Sequence, residues 1–200
     1  MPRDLRICFV GDSFVAGVGD PGHLGWAGRL AAGSAREGLP LTGYVLGVRR
    51  QTTAEVAERW AAECRPRLAG GGWEARVVLS TGVNDTTVED GAPRLAPHRS
   101  VAALTGMLAG AADAGWPVLV VGPPVVADDA QNRRIADLDD RFAAACAERG
   151  VPYVPVAAAL ATDPTWRAEV AAGDGAHPGA AGYGVLADLV RPHWESWLTG

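Results

Sequence analysis

Ile7-Cys8-Phe9-Val10 runs straight into Gly11-Asp12-Ser13, an apolar stretch stopped by a small, polar turn. A strand with one wet face alternates apolar and polar residues, whereas an unbroken apolar run belongs to a strand covered on both faces, as inside a parallel sheet. Val118-Leu119-Val120-Val121 repeats the pattern. Around these runs, short β-branched segments alternate with longer ones rich in Ala, Leu, Arg and Glu. Strands are predicted over residues 5–10, 41–48, 76–80, 117–121 and 152–156, and helices over 26–37, 53–69, 100–114 and 132–148, with a fifth after Pro178. This alternation selects a doubly wound α/β sheet of five parallel strands with right-handed crossovers. The stretch 88–99, with Gly91, Pro93 and Pro97, reads as a surface loop.

The chain has 200 residues, 48% hydrophobic and 20% charged. That size and composition predict one domain over residues 1–200 that folds without disulfide or metal staples. All 18 basic residues are arginine. A chain without lysine supplies no Walker-type phosphate lysine, no Schiff-base lysine and no catalytic lysine. A net charge of -5 gives no broad attraction to nucleic acid or to an anionic membrane. The first residues lack the pattern of a secretory signal, and no apolar run approaches the roughly 20 residues of a membrane span, so a cytoplasmic protein is expected. Cys8, Cys64 and Cys146 are odd in number and far apart, and are expected as buried free thiols. His23, His98 and His193 have no zinc-ligand spacing, so neither a metal nor a cofactor is called for. His23 and His98 are expected in loops on the ligand-binding face.

In an open parallel sheet, ligands bind beyond the carboxyl ends of the strands, where adjacent crossovers diverge. The side chains just past those ends are therefore the ones to weigh: Asp12 and Ser13, Arg49 and Arg50, Asn84 and Asp85, and, before the last helix, Asp174 and His177. Ser13 is a nucleophile candidate, because a serine hydroxyl in a tight glycine turn needs only a positioned base and donors for the developing oxyanion. Asp174-Gly-Ala-His177-Pro sets a carboxylate three residues before an imidazole. His177 can take the Ser13 proton while Asp174 fixes its tautomer. Asn84 offers a neutral amide donor to an oxyanion. Asp12 and Asp85 are expected as caps or braces.

Gly11-Asp12-Ser13, Gly82-Val83-Asn84-Asp85 and Asp174 to His177, in this order along the strands, resemble the first, third and last blocks of the SGNH hydrolases, the GDSL-type esterases and lipases. The resemblance implies a flavodoxin-like α/β/α sandwich and metal-free hydrolysis of a small-molecule ester through an acyl-serine. It also implies an oxyanion hole built from the N–H of Ser13, an N–H of the second block and the Asn84 amide. The second block departs from the family's Asn-x-Gly-x-x-Gly: Val45-Leu-Gly47-Val-Arg-Arg50 keeps only the central glycine. Arg50 then stands where the donating glycine is usual, and losing one such donor typically costs about 3 to 4 kcal/mol.

With little chain left for a lid, short acyl or acetyl esters are the expected substrates. A carbohydrate O-acetyl esterase or an acyltransferase with the same triad is the alternative. A non-catalytic flavodoxin-like binding or signalling module, using Asp12 or Asp85 as phospho-acceptor, is the rival from another class, and the absence of lysine speaks against it. Gly17-Val-Gly19-Asp-Pro-Gly22 fits the dinucleotide pattern, but it starts past the strand and holds a proline before any helix. The seven tryptophans are expected in packing, with Trp166 the one to watch because it precedes Asp174. Arg133, Arg134 and Arg141, interleaved with Asp137, Asp139 and Asp140, read as a solvated ion-pair face.

Overall fold

The computed structural model describes residues 3–36 and 38–199. β1 (Leu5–Gly11) is followed by α1 (Gly25–Arg36), and β2 (Thr42–Gly47) by α2 (Thr53–Leu68). β3 (Glu74–Ser80) leads through a 3-10 turn at Asn84–Thr86 into a hairpin of β4 (Val88–Glu89) and β5 (Ala92–Pro93), and then α3 (Pro97–Asp113). β6 (Val118–Val121) precedes α4 (Asp129–Ala147), and β7 (Tyr153–Val154) precedes α5 (Ala157–Thr162) and α6 (Pro164–Ala172). The last element is α7 (Ala180–Thr199). Among the described residues no helix is long and apolar enough to cross a membrane.

The central sheet has the order β2-β1-β3-β6-β7, with every pairing parallel. Counting only these five strands, the order is the flavodoxin-like 2-1-3-4-5, whose crossovers diverge between β1 and β3. β1 alternates between two cores. Leu5, Ile7 and Phe9 pack with Trp26, Leu30, Tyr183 and Trp194 on one face; Cys8 and Val10 pack with Val56, Trp60, Cys64 and Leu104 on the other. Fully burying one such large side chain is worth about 1.5–3 kcal/mol, so an apolar run serving both faces is what holds the three layers together. All three cysteines are buried and free.

Helix starts differ from the sequence reading where caps, rather than apolar periodicity, set them. α3 begins at Pro97, whose fixed φ suits a first turn. α4 begins at Asp129 because the Asp128 carboxylate accepts the N–H groups of Ala130 and Gln131. The stretch 88–99 is therefore not simply a loop: it holds the β4–β5 hairpin and the first turn of α3, which places His98 in a helix. α5 and α6 were unanticipated; Asp163 caps the latter by accepting from Trp166 N–H. The helix expected over 26–37 runs to Arg36, and its final residue, Glu37, lies outside the described residues.

Candidate active site

Register brings Gly11 opposite both Gly47 and Ser80 at the carboxyl edge of the sheet. Space there is minimal. A β-carbon on Gly11 would come within 2.0 Å of the Ser80 carbonyl oxygen, and one on Gly47 within 2.3 Å of the Ala16 nitrogen. The end of β2 thus touches the turn after β1 backbone to backbone, and Val48 N–H donates to the Gly11 carbonyl at 3.0 Å. Within that turn Asp12 Oδ1 accepts from Phe14 N–H at 3.0 Å, and the Asp12 and Ser13 carbonyls accept from Ala16 and Val18. The N–H of Ser13 finds no acceptor among the described residues.

Ser13, His177 and Asp174 come together. Ser13 Oγ lies 2.7 Å from His177 Nε2, and His177 Nδ1 lies 2.7 Å from Asp174 Oδ2. The tautomer satisfying both contacts carries its proton on Nδ1 and leaves Nε2 to accept from the serine hydroxyl. Gly175, at φ +79, turns the loop so that Asp174 Oδ1 also accepts the N–H groups of Ala176 and His177. Ala127 N–H ties the loop down by donating to the Gly175 carbonyl. Burial opposes the Asp174 charge, but the His177 and Ala176 donors outweigh it and hold the carboxyl at about 2. It is ionised at neutral pH.

Asn84 reaches the same rim with its amide already engaged. Nδ2 donates to the Gln51 carbonyl at 3.0 Å and to Asp12 Oδ2 at 3.3 Å. Burial pushes the Asp12 carboxyl up to about 7, and the nearby Asp85 adds to the effect. Asp85 is a brace, as its sequence context implied: it is buried and accepts from Thr53 N–H at the start of α2. The Arg50 N–H has no acceptor among the described residues, and the residue sits at φ 66 in the left-handed region.

Two supporting residues, Phe14 and Arg59, carry no sequence signal. Phe14 packs on the His177 ring and stacks on Trp166. Trp166 is itself buried, its indole N–H donating to the Val125 carbonyl, so it belongs to the core rather than to a substrate platform. Arg59, from α2, donates to the Gly11 carbonyl and to the Gln51 side chain. The arginine and aspartate face of α4 is solvated only in part: Arg141 pairs with Asp137 at the surface, while Asp139 accepts from the Tyr153 hydroxyl and Arg134 donates to the Thr86 carbonyl. Among the described residues, no three His, Cys, Asp or Glu side chains are grouped to hold a metal ion.

Hollows of about 830 and 650 Å3 lie at the opposite end of the sheet around Trp116 and Pro117, and one of about 770 Å3 lies between α4 and α6. None of the three has Ser13, Asp174 or His177 in its wall. A hollow of about 380 Å3 adjoins Asp174 and His177, lined also by Gly19, Glu169 and Pro178.

The fold defines the class first: a flavodoxin-like sheet, all parallel, with a serine turn at its rim. Residues 9–185 match the GDSL-like lipase/acylhydrolase family, and the chain belongs to that family of hydrolases. In structure it is similar to the lipase/acylhydrolase from Enterococcus faecalis, with 21% identity, a TM-score of 0.74 and 96% of each chain covered. It is similar to TesA at 23% identity and a TM-score of 0.78, covering 96% of this chain and 99% of that one. It also resembles an acetylxylan esterase from Geobacillus stearothermophilus at 17% identity and a TM-score of 0.76, covering 96% and 95%. At these identities the likeness is one of fold. No curated protein sequence matches the chain.

Proposed function

We propose that the protein is a serine esterase that hydrolyses small carboxylic esters through an acyl-serine intermediate. The observation carrying this reading is the unbroken line from Ser13 Oγ to His177 Nε2 and from His177 Nδ1 to Asp174 Oδ2, each step 2.7 Å. His177 takes the Ser13 proton as Oγ bonds to the ester carbonyl carbon, and the carbonyl oxygen becomes an oxyanion. Asp174 stays ionised and stabilises the imidazolium. The imidazolium then protonates the departing alkoxide. In the second half, water loses its proton to His177 and attacks the acyl carbon, and Ser13 leaves with that proton.

The oxyanion donors are the N–H groups of Ser13 and Arg50 and the Asn84 amide. Both N–H groups lack acceptors among the described residues, the condition of a donor held ready for charge that forms only in the transition state. The Asn84 bond to Asp12 is the longer of its two and exchanges for the oxyanion, while the bond to Gln51 keeps the amide oriented.

Substrate size follows from the surroundings. None of the hollows described above has Ser13 in its wall, so the acyl group lies at an open rim rather than in an enclosed tunnel. This favours short acyl groups over long chains. The likeness to an acetylxylan esterase makes acetylated sugar the second reading. A p-nitrophenyl ester series and acetyl release from acetylated xylan separate the two. A fluorophosphonate probe should label Ser13 and fail on Ser13→Ala, and folded wild-type protein left unlabelled overturns the acyl-serine reading.

A further inference from the structure

Arg50 occupies the place where the second block of the resembling family ends in glycine, and it keeps the backbone glycine adopts without strain, φ 66. A residue with a long side chain persists there only when its surroundings over-determine it. They do. Arg94 Nη1 donates to the Arg50 carbonyl at 2.7 Å. The Arg50 guanidinium donates to Glu89 Oε1 at 3.0 Å, and Arg94 Nε stands 3.5 Å from the same oxygen. On the other side the Gln51 carbonyl accepts from Asn84, and the Gln51 side chain is held by Arg59. Both carbonyls after the Arg50 N–H are therefore tied, while the N–H itself is left without an acceptor among the described residues.

We propose that Arg94 is a positioning residue that substitutes for glycine's freedom: by clamping the Arg50 carbonyl it holds Arg50 left-handed and keeps its N–H aimed at the oxyanion. This rests on the reading of that N–H as an oxyanion donor. Arg94 suits a directional task. Its side chain is 16% exposed against 77% for Arg50, and its charge is answered by Glu89 and, at 3.7 Å, by Glu55. Its own backbone is fixed by Arg94 N–H donating to the Thr87 carbonyl at 2.9 Å, across the hairpin. The β4–β5 hairpin thus acquires a role: it carries Glu89 and delivers Arg94 to the second-block loop.

A double-mutant cycle tests this, with kcat and KM for p-nitrophenyl acetate measured on Arg94→Ala, Arg50→Gly and the double variant, each checked for folding by thermal melting. Arg94→Ala should lose about tenfold or more in kcat with KM within about twofold, the signature of an interaction made only in the transition state. Adding Arg94→Ala to Arg50→Gly should cost less than about threefold, because glycine adopts the left-handed backbone without a clamp. Arg94→Gln, which retains an N–H for the Arg50 carbonyl, should recover part of the loss. Equal loss in both backgrounds, a loss confined to KM, or unchanged kcat overturns the proposal. If Arg94→Ala does not fold, Arg94→Met, which keeps the aliphatic stem but carries no donor, replaces it in the cycle with Arg50→Gly under the same criteria. Ser13 should remain labelled by fluorophosphonate in every folded variant; an unlabelled wild-type Ser13 sinks the underlying acyl-serine reading instead, whatever the cycle gives.

Discussion

Phe14 lies against His177, with ring centroids 4.8 Å apart and planes tilted by 38°. The residue directly after the proposed nucleophile therefore supports the proposed base. Phe14 also stacks on Trp166 at 6.3 Å, so the imidazole rests on packed aromatic rings rather than on loop backbone alone. Truncating Phe14 removes that floor. Phe14→Ala should lower kcat by about 10- to 100-fold through lost base orientation and destabilise the fold by about 3–5 kcal/mol. Phe14→Leu, which fills most of the space, should cost much less on both counts. Steady-state kinetics beside urea unfolding distinguish the effects, and an unchanged kcat in folded Phe14→Ala would show that these rings do not hold the base.

Asp174 should behave as an orienting group that never leaves its charged form in the working range. Its carboxyl sits near 2 because the His177 and Ala176 donors prevail over burial. Asp174→Asn removes the charge and misassigns the tautomer, a change that costs up to about 10,000-fold in kcat in a buried triad. The Asp174 side chain is 52% exposed, so solvent can partly replace it. A loss of about 100- to 1,000-fold is expected, smaller than for Ser13→Ala or His177→Ala. A loss below threefold in kcat would remove Asp174 from the relay.

Asp12 and Asp20 should move stability in opposite directions with pH. For Asp12 the folded value, about 7, lies above the unfolded one of about 3.9. The native state then binds more protons than the unfolded state between these values, so the buried charge destabilises fully above pH 7 and the penalty fades as pH falls toward 4. For Asp20, Arg29 and the N–H groups of Gly22 and Gly25 outweigh burial and hold the folded value at about 2. Its stabilisation is present above pH 4 and is lost as pH falls through 2. Asp12→Asn should raise unfolding stability at pH 8 by on the order of a few kcal/mol, with the gain shrinking at pH 4. It should also lower kcat, because an amide at position 12 turns a donor toward Asn84. Asp20→Asn should destabilise at pH 7 and be nearly neutral at pH 2. Urea melts across pH read both, and parallel curves for the two variants would refute the assignment.

How far the sequence carried the reading depends on the range of the interaction. Ser13, Asn84, Asp174 and His177 were legible because each sits in a short polar or glycine-bearing segment beyond an apolar strand or just before the final helix, and topology alone brings such segments to one rim. Arg59 and Arg94 were not legible, since a long side chain reaching another element's carbonyl leaves no local pattern. The occupied state of the Asn84 amide was hidden for the same reason: it depends on Gln51 and on Asp12, 33 and 72 residues away. Arg50 fell between. Its departure from glycine was visible in the letters, but its left-handed backbone was not, because the ties enforcing it come from the hairpin. That hairpin has strands of two residues, and α5 has only six, too short for any periodicity to register.

Gly47 gives the sharpest test of how the second-block loop is held against the Ser13 turn. A β-carbon there would sit 2.3 Å from the Ala16 nitrogen and 2.5 Å from the Asp12 carbonyl oxygen, both backbone atoms without freedom to yield. The turn carrying Ser13 and the loop carrying Arg50 must then separate, which misplaces the proposed nucleophile and the proposed oxyanion donor together. Gly47→Ala should cost at least about 100-fold in kcat/KM, since displacement by about 1 Å suffices for that. Gly184→Ala is the control: its β-carbon meets nothing within 4 Å and it lies inside α7, where alanine should stabilise by up to about 1 kcal/mol without touching activity. If folded Gly47→Ala kept wild-type kcat/KM, the close packing of the two loops would not be what aligns the site.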